Sequence, residues 1–399
     1  MYCSIYKLEF PHGMPENKQK SPKISIVLPC KNEELALQRC LDEIKGVIAK
    51  DNLDAEVIVV DNGSTDGSRK ILGENLRTFS ELKIINESNE GYGLAYLKGF
   101  ETARGEYIFM ADADGTYSFK DIPKFLEEIK KGNDLVVGNR FASSISRESM
   151  SFLRKAGNAI LSLITRLLFK IKIKDIHSGA RMITRQALSQ ITLYTAGMEF
   201  ASEMIIKAKR RGLKISELSV SYRPRFGESK LRAFRDGWRH LRFLLLYSPI
   251  FLFLFPGLFL FLAGVSSMAL LYFSNIQILG LEFYFHPMFL SSLLILVGYQ
   301  LVFFAGFAKV YAVTHLGDED RLVSNLFKYI TIEKAGVLGI VCAGLGGLIF
   351  LFIFWKWVST GFGSLDEIKS SIVAMTFVVF GVETIFSAFM LSMLGIKER

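Results

Sequence analysis

Cysteine is scarce: Cys3, Cys30, Cys40 and Cys342 are the only four in 399 residues, with no CxxC pair and no framework spacing. That excludes a disulfide-stapled secreted domain and fits a reducing, cytosol-facing one. Histidine is scarce too. His12, His177, His240, His286 and His315 stand singly, without the spacing of a zinc site. The start of the chain lacks a basic-then-apolar targeting pattern. Residues 11–23 are polar with Pro11, Pro15 and Pro22, so residues 1–23 are expected to form a flexible arm. Charge is nearly missing from the last part of the chain. Residues 243–399 hold 8 Lys and Arg and 9 acids, against 40 and 30 in residues 1–242. A basic soluble domain followed by a membrane domain is the reading of that switch.

Four apolar stretches occupy about 250–273, 287–312, 335–356 and 371–395, each close to the ~20 residues that cross a hydrocarbon core. The loop at 274–286 has no Lys or Arg, whereas 313–334 has Arg321, Lys328 and Lys334. With the basic run before Phe243, this predicts cytoplasmic termini. Lys356 and Lys369 in the third loop fit that orientation less well and would have to snorkel. Glu383 is the intramembrane acid, read as a protonated or hydrogen-bonded helix contact rather than part of a lipid path. Residues 149–174 alternate Leu, Ile and Phe with Arg and Lys as a basic amphipathic interfacial helix would. Residues 205–242 carry twelve basic residues against three acids. Beside a membrane, attraction to anionic lipid explains them without nucleic acid. Residues 231–249 are expected to be a juxtamembrane interfacial helix.

The soluble half, 24–230, reads as α/β. The run ISIVLPC at 24–30 is apolar throughout, as a strand buried on both faces would be. A helical pattern follows over 33–48, then strand 56–60, strand 82–86, helix 93–103 and strand 106–111. Alternation of this kind predicts a mostly parallel sheet with crossover helices, and ligands bind beyond the carboxyl ends of its strands. The polar residues Asn32, Glu33, Asp61, Asn89, Asp112 and Asp114 fall there. Asp112 and Asp114, two apart at a strand end, can face one ligand. Mg²⁺ or Mn²⁺ takes one or two carboxylates plus substrate phosphates, so the pair suits a cation bridging a diphosphate.

The segments ISIVLPCKNEE, VIVVDNGSTDGS, NEGYGLAYLKGF, YIFMADADG, VVGNRF and RPRFGESKL, in this order, resemble inverting glycosyltransferase family 2 with the GT-A fold. They are most similar to the polyprenyl-phosphate sugar synthases of glucose or mannose type that carry four C-terminal transmembrane helices. The resemblance implies transfer of one hexose from a nucleotide-sugar, UDP-glucose or GDP-mannose, to a dolichyl or undecaprenyl phosphate. ADADGTYSF is closer in wording to the glucosyl type. By the same resemblance Pro29, Asn32, Glu33 and Asp61 would surround base and ribose, with Asn89 and Gly91 near the sugar diphosphate. Gly91 and Gly93 would allow close backbone approach. Asp112 and Asp114 would meet nucleotide and metal, and with Arg140 would be catalytic. Many relatives have glutamine where Thr116 stands, leaving a third metal ligand open.

Arg140, Arg181, Arg225, Ser229 and Lys230 would receive the lipid phosphate, with Lys230 also reaching the nucleotide-sugar. Arginine suits an anion because its donors form a fork. A phosphate monoester is largely ionised at neutral pH and needs no general base, unlike a hydroxyl. Glu199 and Glu203, four apart, are read as sugar-hydroxyl acceptors or a base, or else as solvated residues near Lys207. A processive polysaccharide synthase would carry QxxRW, which is missing here. An inactive membrane scaffold would not need the intact acids and basic set. Transport finds no repeat to support it. The sequence leaves oligomeric state open and is compatible with a homo-oligomer.

Overall fold

The computed structural model describes residues 22–142, 152–227, 233–274, 276–278, 281–315 and 332–395. Most of the expected N-terminal arm, together with Ser229 and Lys230, lies outside these residues. The chain divides into two compact units, Met1–Leu244 and Leu245–Arg399.

In the first unit a seven-stranded sheet is built from β1 (Ile24–Cys30), β2 (Ala55–Asp61), β3 (Leu82–Asn86), β4 (Tyr107–Met110), β5 (Leu135–Asn139), β6 (Arg181–Thr184) and β7 (Ile215–Ser219). Their order is β3-β2-β1-β4-β6-β5-β7. Helix α1 (Glu34–Lys50) lays Leu37, Cys40, Leu41, Ile44 and Ile48 on the sheet, one apolar stripe at helical spacing. Helices α2 (Ser68–Asn75), α3 (Tyr92–Thr102) and α4 (Ile122–Lys130) make the next crossovers. Every residue of β2 is buried, which is why its sequence shows no alternation.

Strands β1 to β4 run parallel, so Cys30, Asp61 and Asn86 lie level at one edge. Strand β6 runs against β4 and β5, pairing Arg181 with Met110. That reversal has a local consequence. The loop entering β6, residues 175–180, arrives where β4 delivers Asp112. Helices α5 (Phe152–Phe169), α6 (Arg185–Gln190) and α7 (Phe200–Arg210) belong to the same unit, and α8 (Ala233–Leu246) spans its end. On α5 the small polar Ser162 and Thr165 are buried, while Ile160, Leu163 and Leu167 are 57, 51 and 65 % exposed.

Among its described residues the second unit holds four helices long and apolar enough to cross a membrane, over Ile250–Phe273, His286–Thr314, Glu333–Ser359 and Ile368–Gly395. The first begins as a π-turn at Ile250–Leu254 and continues as α9 (Phe255–Phe273). It is followed by α10 (His286–His315), α11 (Ile332–Ser359) and α12 (Ile368–Gly395). Small residues set the packing: a Cβ on Gly381 would stand 2.4 Å from the Gly339 carbonyl oxygen, so α11 and α12 touch backbone to backbone. Hydroxyl pairs Ser292–Thr376 and Tyr299–Thr384, each at 2.7 Å, join α10 to α12. Glu383 lies on α12 beside one of these pairs. Its Oε2 is buried without a donor, and the neighbouring Thr384 makes the interhelical bond.

Candidate functional site

The strand ends gather the acids as expected, and each acid is held in a defined way. Asp114 Oδ1 accepts from the Thr116 amide at 3.0 Å and the Thr116 hydroxyl at 2.6 Å. Thr116 therefore supports Asp114 where a third ligand was left open. Asp114 Oδ2 faces the Arg225 guanidinium at 3.5 Å. Asp112 Oδ1 accepts from the Tyr92 hydroxyl at 2.8 Å and, longer, from Tyr96 at 3.4 Å. Burial, then the charge of Asp114, pushes the Asp112 carboxyl up to about 7. The Tyr92 hydrogen bond and the Arg225 and Arg140 charges oppose that rise. A pair that resists holding two negative charges is a place where a divalent cation gains. Among the described residues no three His, Cys, Asp or Glu side chains form a self-sufficient metal cage. Two carboxylates completed by substrate phosphates fit Mg²⁺ or Mn²⁺.

A strap over 222–227 crosses this loop. Tyr222 bridges to Tyr117, the Arg223 amide donates to the Thr116 carbonyl at 2.8 Å, and the Phe226 amide to that of Asp114 at 3.4 Å. Arg223 is anchored by both ends of its fork on Glu43, at 2.9 and 3.2 Å. Arg225 reaches Glu33 Oε1 at 2.5 Å, and its Nε is buried without an acceptor. Glu33 and Arg225, assigned separately to donor and acceptor, thus stand together beside Asp114.

The β1 and β2 loops are laced to one another. Asn32, at φ +53°, accepts the Thr65 amide on Oδ1 at 2.7 Å, and the Glu33 amide donates to the Ser68 hydroxyl. Asp61 is buried and takes the Ser64 amide at 3.0 Å and Arg69 Nε at 2.7 Å. Burial raises its carboxyl, but the bonds from Ser64 and Arg69 prevail and hold it below the usual range. Asp61, Gly63, Arg69, Leu72, Ile84 and Asn86 line a cavity of about 480 Å³. Pro29, the last residue but one of β1, lies opposite Val60. Sequence reasoning missed Asn62, whose amide donates to the Glu87 and Asn89 carbonyls and accepts from the Gly91 amide. It shapes the turn carrying Asn89, and its place beside Asp61 in VVDNGS was the available signal.

Four expectations need correction. Gly91 and Gly93 do allow a close approach, but of the protein's own backbone. A Cβ at Gly93 would lie 2.0 Å from the Thr195 carbonyl oxygen, and one at Gly91 would lie 2.5 Å from that of Ala196. Arg181 is fully buried, its guanidinium donating to the Ser178, Ala201 and Ile176 carbonyls at 2.9, 2.6 and 2.7 Å. It is a strut for the β6 entry and cannot present its fork to a lipid phosphate. Arg140 is buried and locked bidentate on Asp175, with both bonds at 2.8 Å. With its fork occupied by Asp175, it lends Asp112 a positive field. Glu203 is buried, ion-paired to Lys207 at 2.7 Å, and latches the Tyr194 and Thr195 amides. It is neither solvated nor available to a sugar. Glu199, by contrast, keeps a buried Oε2 without a donor.

The Arg181 correction can be checked. Arg181→Ala strands three buried carbonyls at about 1–3 kcal/mol each, so the melting temperature should fall by roughly 10 °C or more. The KM for the acceptor of the protein that remains folded should stay within about threefold. A tenfold rise in that KM with unchanged melting would restore Arg181 to the acceptor site.

Residues 25–192 match the family described as glycosyl transferase family 2, and residues 306–395 match the glycosyltransferase family 2 C-terminal transmembrane region. The low-salt glycan biosynthesis hexosyltransferase Agl6 of Haloferax volcanii is 35 % identical over 381 residues, covering 94 % of this chain and 90 % of that protein. A dolichyl-phosphate hexose transferase of the same organism is 30 % identical over 214 residues, 54 % of this chain and 89 % of that one. Among solved structures, glucosyl-3-phosphoglycerate synthase of Mycobacterium tuberculosis with Mn²⁺ and UDP-glucose is 19 % identical, covers 57 % of this chain and 79 % of that one, and has a TM-score of 0.45. With strand-end acids, an α/β sheet and, later in the sequence, four apolar helices among the described residues, the chain belongs to glycosyltransferase family 2 and is a membrane protein.

Proposed function

We propose that the enzyme moves one hexose from a nucleotide-diphosphate sugar to a polyprenyl phosphate, with inversion, at the cytoplasmic membrane face. The observation that carries this reading is Arg225, one cation set between Glu33 and Asp114 on a strap that crosses the acid pair. Donor and acceptor groups thereby share one small space. A bound divalent ion would supply charge neutralisation for the departing diphosphate, held by Asp112 and Asp114. The chain's own work is placement. Asp61 and the neighbouring cavity would take the base, Glu33 the ribose side, and Arg225 with Ser229 and Lys230 the acceptor phosphate. An ionised acceptor needs no proton removed, so positioning and a matched field account for most of the rate. A dolichyl-phosphate hexose transferase among the relatives supports this acceptor class, and a hexosyltransferase supports the transfer of a hexose. UDP-glucose is the donor we favour over GDP-mannose. Proton NMR of the lipid product should show a β-glycosidic linkage formed from the α-linked donor. An α-linked product contradicts inversion.

The exposed apolar stripe on α5 and the basic residues beside it support a headgroup-level catalytic unit. The two lysines that fit the orientation poorly have local explanations. Lys356 pairs with Glu367 at 2.5 Å, and Lys369 donates to the Leu271 carbonyl at 2.8 Å at the end of α9. Both are tied within the second unit, which lowers their weight as topological signals. Single cysteines at Ser274 or Thr360 should react with a membrane-impermeant maleimide in intact cells, and one at Glu333 should not. The reverse pattern would invert the topology and exclude a cytosolic nucleotide-sugar.

A further inference from the structure

Asp112 and Asp114 are held by the same device. Each has one oxygen occupied by neutral donors. For Asp114 the donors are local, the amide and hydroxyl of Thr116. For Asp112 they come from another element. Tyr92 and Tyr96, one helical turn apart on α3, both aim hydroxyls at Oδ1. Gly179 packs against the same carboxylate: a Cβ there would stand 2.6 Å from Oδ2 and 3.2 Å from Oδ1. The carboxylate is therefore oriented by the tyrosines on Oδ1, in a space that a glycine at 179 leaves open. Tyr92 is itself held: its ring meets Tyr96 edge-on at 5.0 Å, and Tyr96 stacks on Phe200 of α7 at 5.5 Å. The choice of phenol matters. A lysine or arginine at this place would also fix Oδ1, but its positive charge would repel a cation. A hydroxyl orients and stabilises the anion without that penalty.

We infer that Tyr92, backed by Tyr96, is a positioning residue that holds Asp112 Oδ1 so that the carboxylate meets a cation-bound nucleoside diphosphate in one orientation. This rests on the donor-site reading above, and it adds a second element, α3, to the apparatus that carries the metal acids. The test uses the full chain in detergent and calorimetric titration with UDP and with GDP, each with and without Mn²⁺. Tyr92→Phe should weaken Mn²⁺-dependent nucleotide binding about tenfold or more, the loss expected of a hydrogen bond to a charged group. Tyr96→Phe, losing a longer contact, should change it by less than about threefold. Metal-free nucleotide binding should be the same in all three proteins. A folding defect is distinguished by the same titration: unfolded protein lowers the stoichiometry and leaves the affinity of the remainder intact. Unchanged Mn²⁺ dependence in Tyr92→Phe overturns the inference alone. A wild type that binds neither nucleotide in an Mn²⁺-dependent way overturns the donor-site reading, and this inference with it.

Discussion

Asp114→Asn should reduce sugar transfer about a thousandfold or more while leaving the protein folded. Cation stabilisation of a departing diphosphate is worth several kcal/mol, and each 1.36 kcal/mol is about tenfold in rate. The substitution keeps shape. An asparagine oxygen can still accept from the Thr116 amide and hydroxyl, which hold the turn at 3.0 and 2.6 Å. What disappears is the charge facing Arg225 and the cation. EDTA should inhibit the wild type to the same degree, with added Mn²⁺ restoring it. Initial rates with a purified polyprenyl phosphate, beside circular dichroism of both proteins, check this. Full activity in the variant, or in wild type after exhaustive metal removal, excludes a metal role for this acid.

Arg225→Ala should lower kcat/KM for polyprenyl phosphate by roughly 10- to 150-fold, the 1.5–3 kcal/mol of one charge-assisted contact. Its effect on the donor should have the opposite sign. In the structure Arg225 neutralises Glu33 and stands 3.5 Å from Asp114, so removing it frees both acids. Mn²⁺-dependent nucleotide binding should stay equal or tighten. Arg225→Lys should recover only part of the loss, because an ammonium cannot copy the guanidinium fork. Calorimetry of donor binding and steady-state titration of the acceptor separate the two effects. A variant that loses donor affinity and keeps its acceptor KM would move Arg225 to the diphosphate site.

What the sequence showed and what it hid follow from range. The β1, β2 and β4 runs are buried on both faces, so their apolar lengths were visible, and the acids fell at their ends by register. The order of β5, β6 and β7 was hidden. Strand β6 is four residues long and reverses direction, and no local pattern reports a partner more than seventy residues away in sequence. The basic residues show the same limit. In sequence, Arg140 of VVGNRF and Arg181 look free to meet an anion. Only the fold reveals that Asp175 holds Arg140 and that three carbonyls enclose Arg181. Arg225 differs because its partners are the site's own acids. Glycine was misread similarly: Gly91 and Gly93 signalled a close approach, but the approaching backbone belonged to residues 195 and 196. Burial distinguishes a working cation from a strut, and burial is a property of the assembled sheet.

The central claim is transfer to a lipid phosphate, and one assay addresses it directly. The purified full chain would be given UDP-glucose and GDP-mannose in parallel, with Mn²⁺ and three acceptors: a short polyprenyl phosphate, the matching polyprenol, and a free sugar. The account predicts one sugar per lipid, on the phosphate alone, with no product on either hydroxyl acceptor and no elongation with time. Transfer to the polyprenol or the free sugar with the polyprenyl phosphate left unused would contradict it.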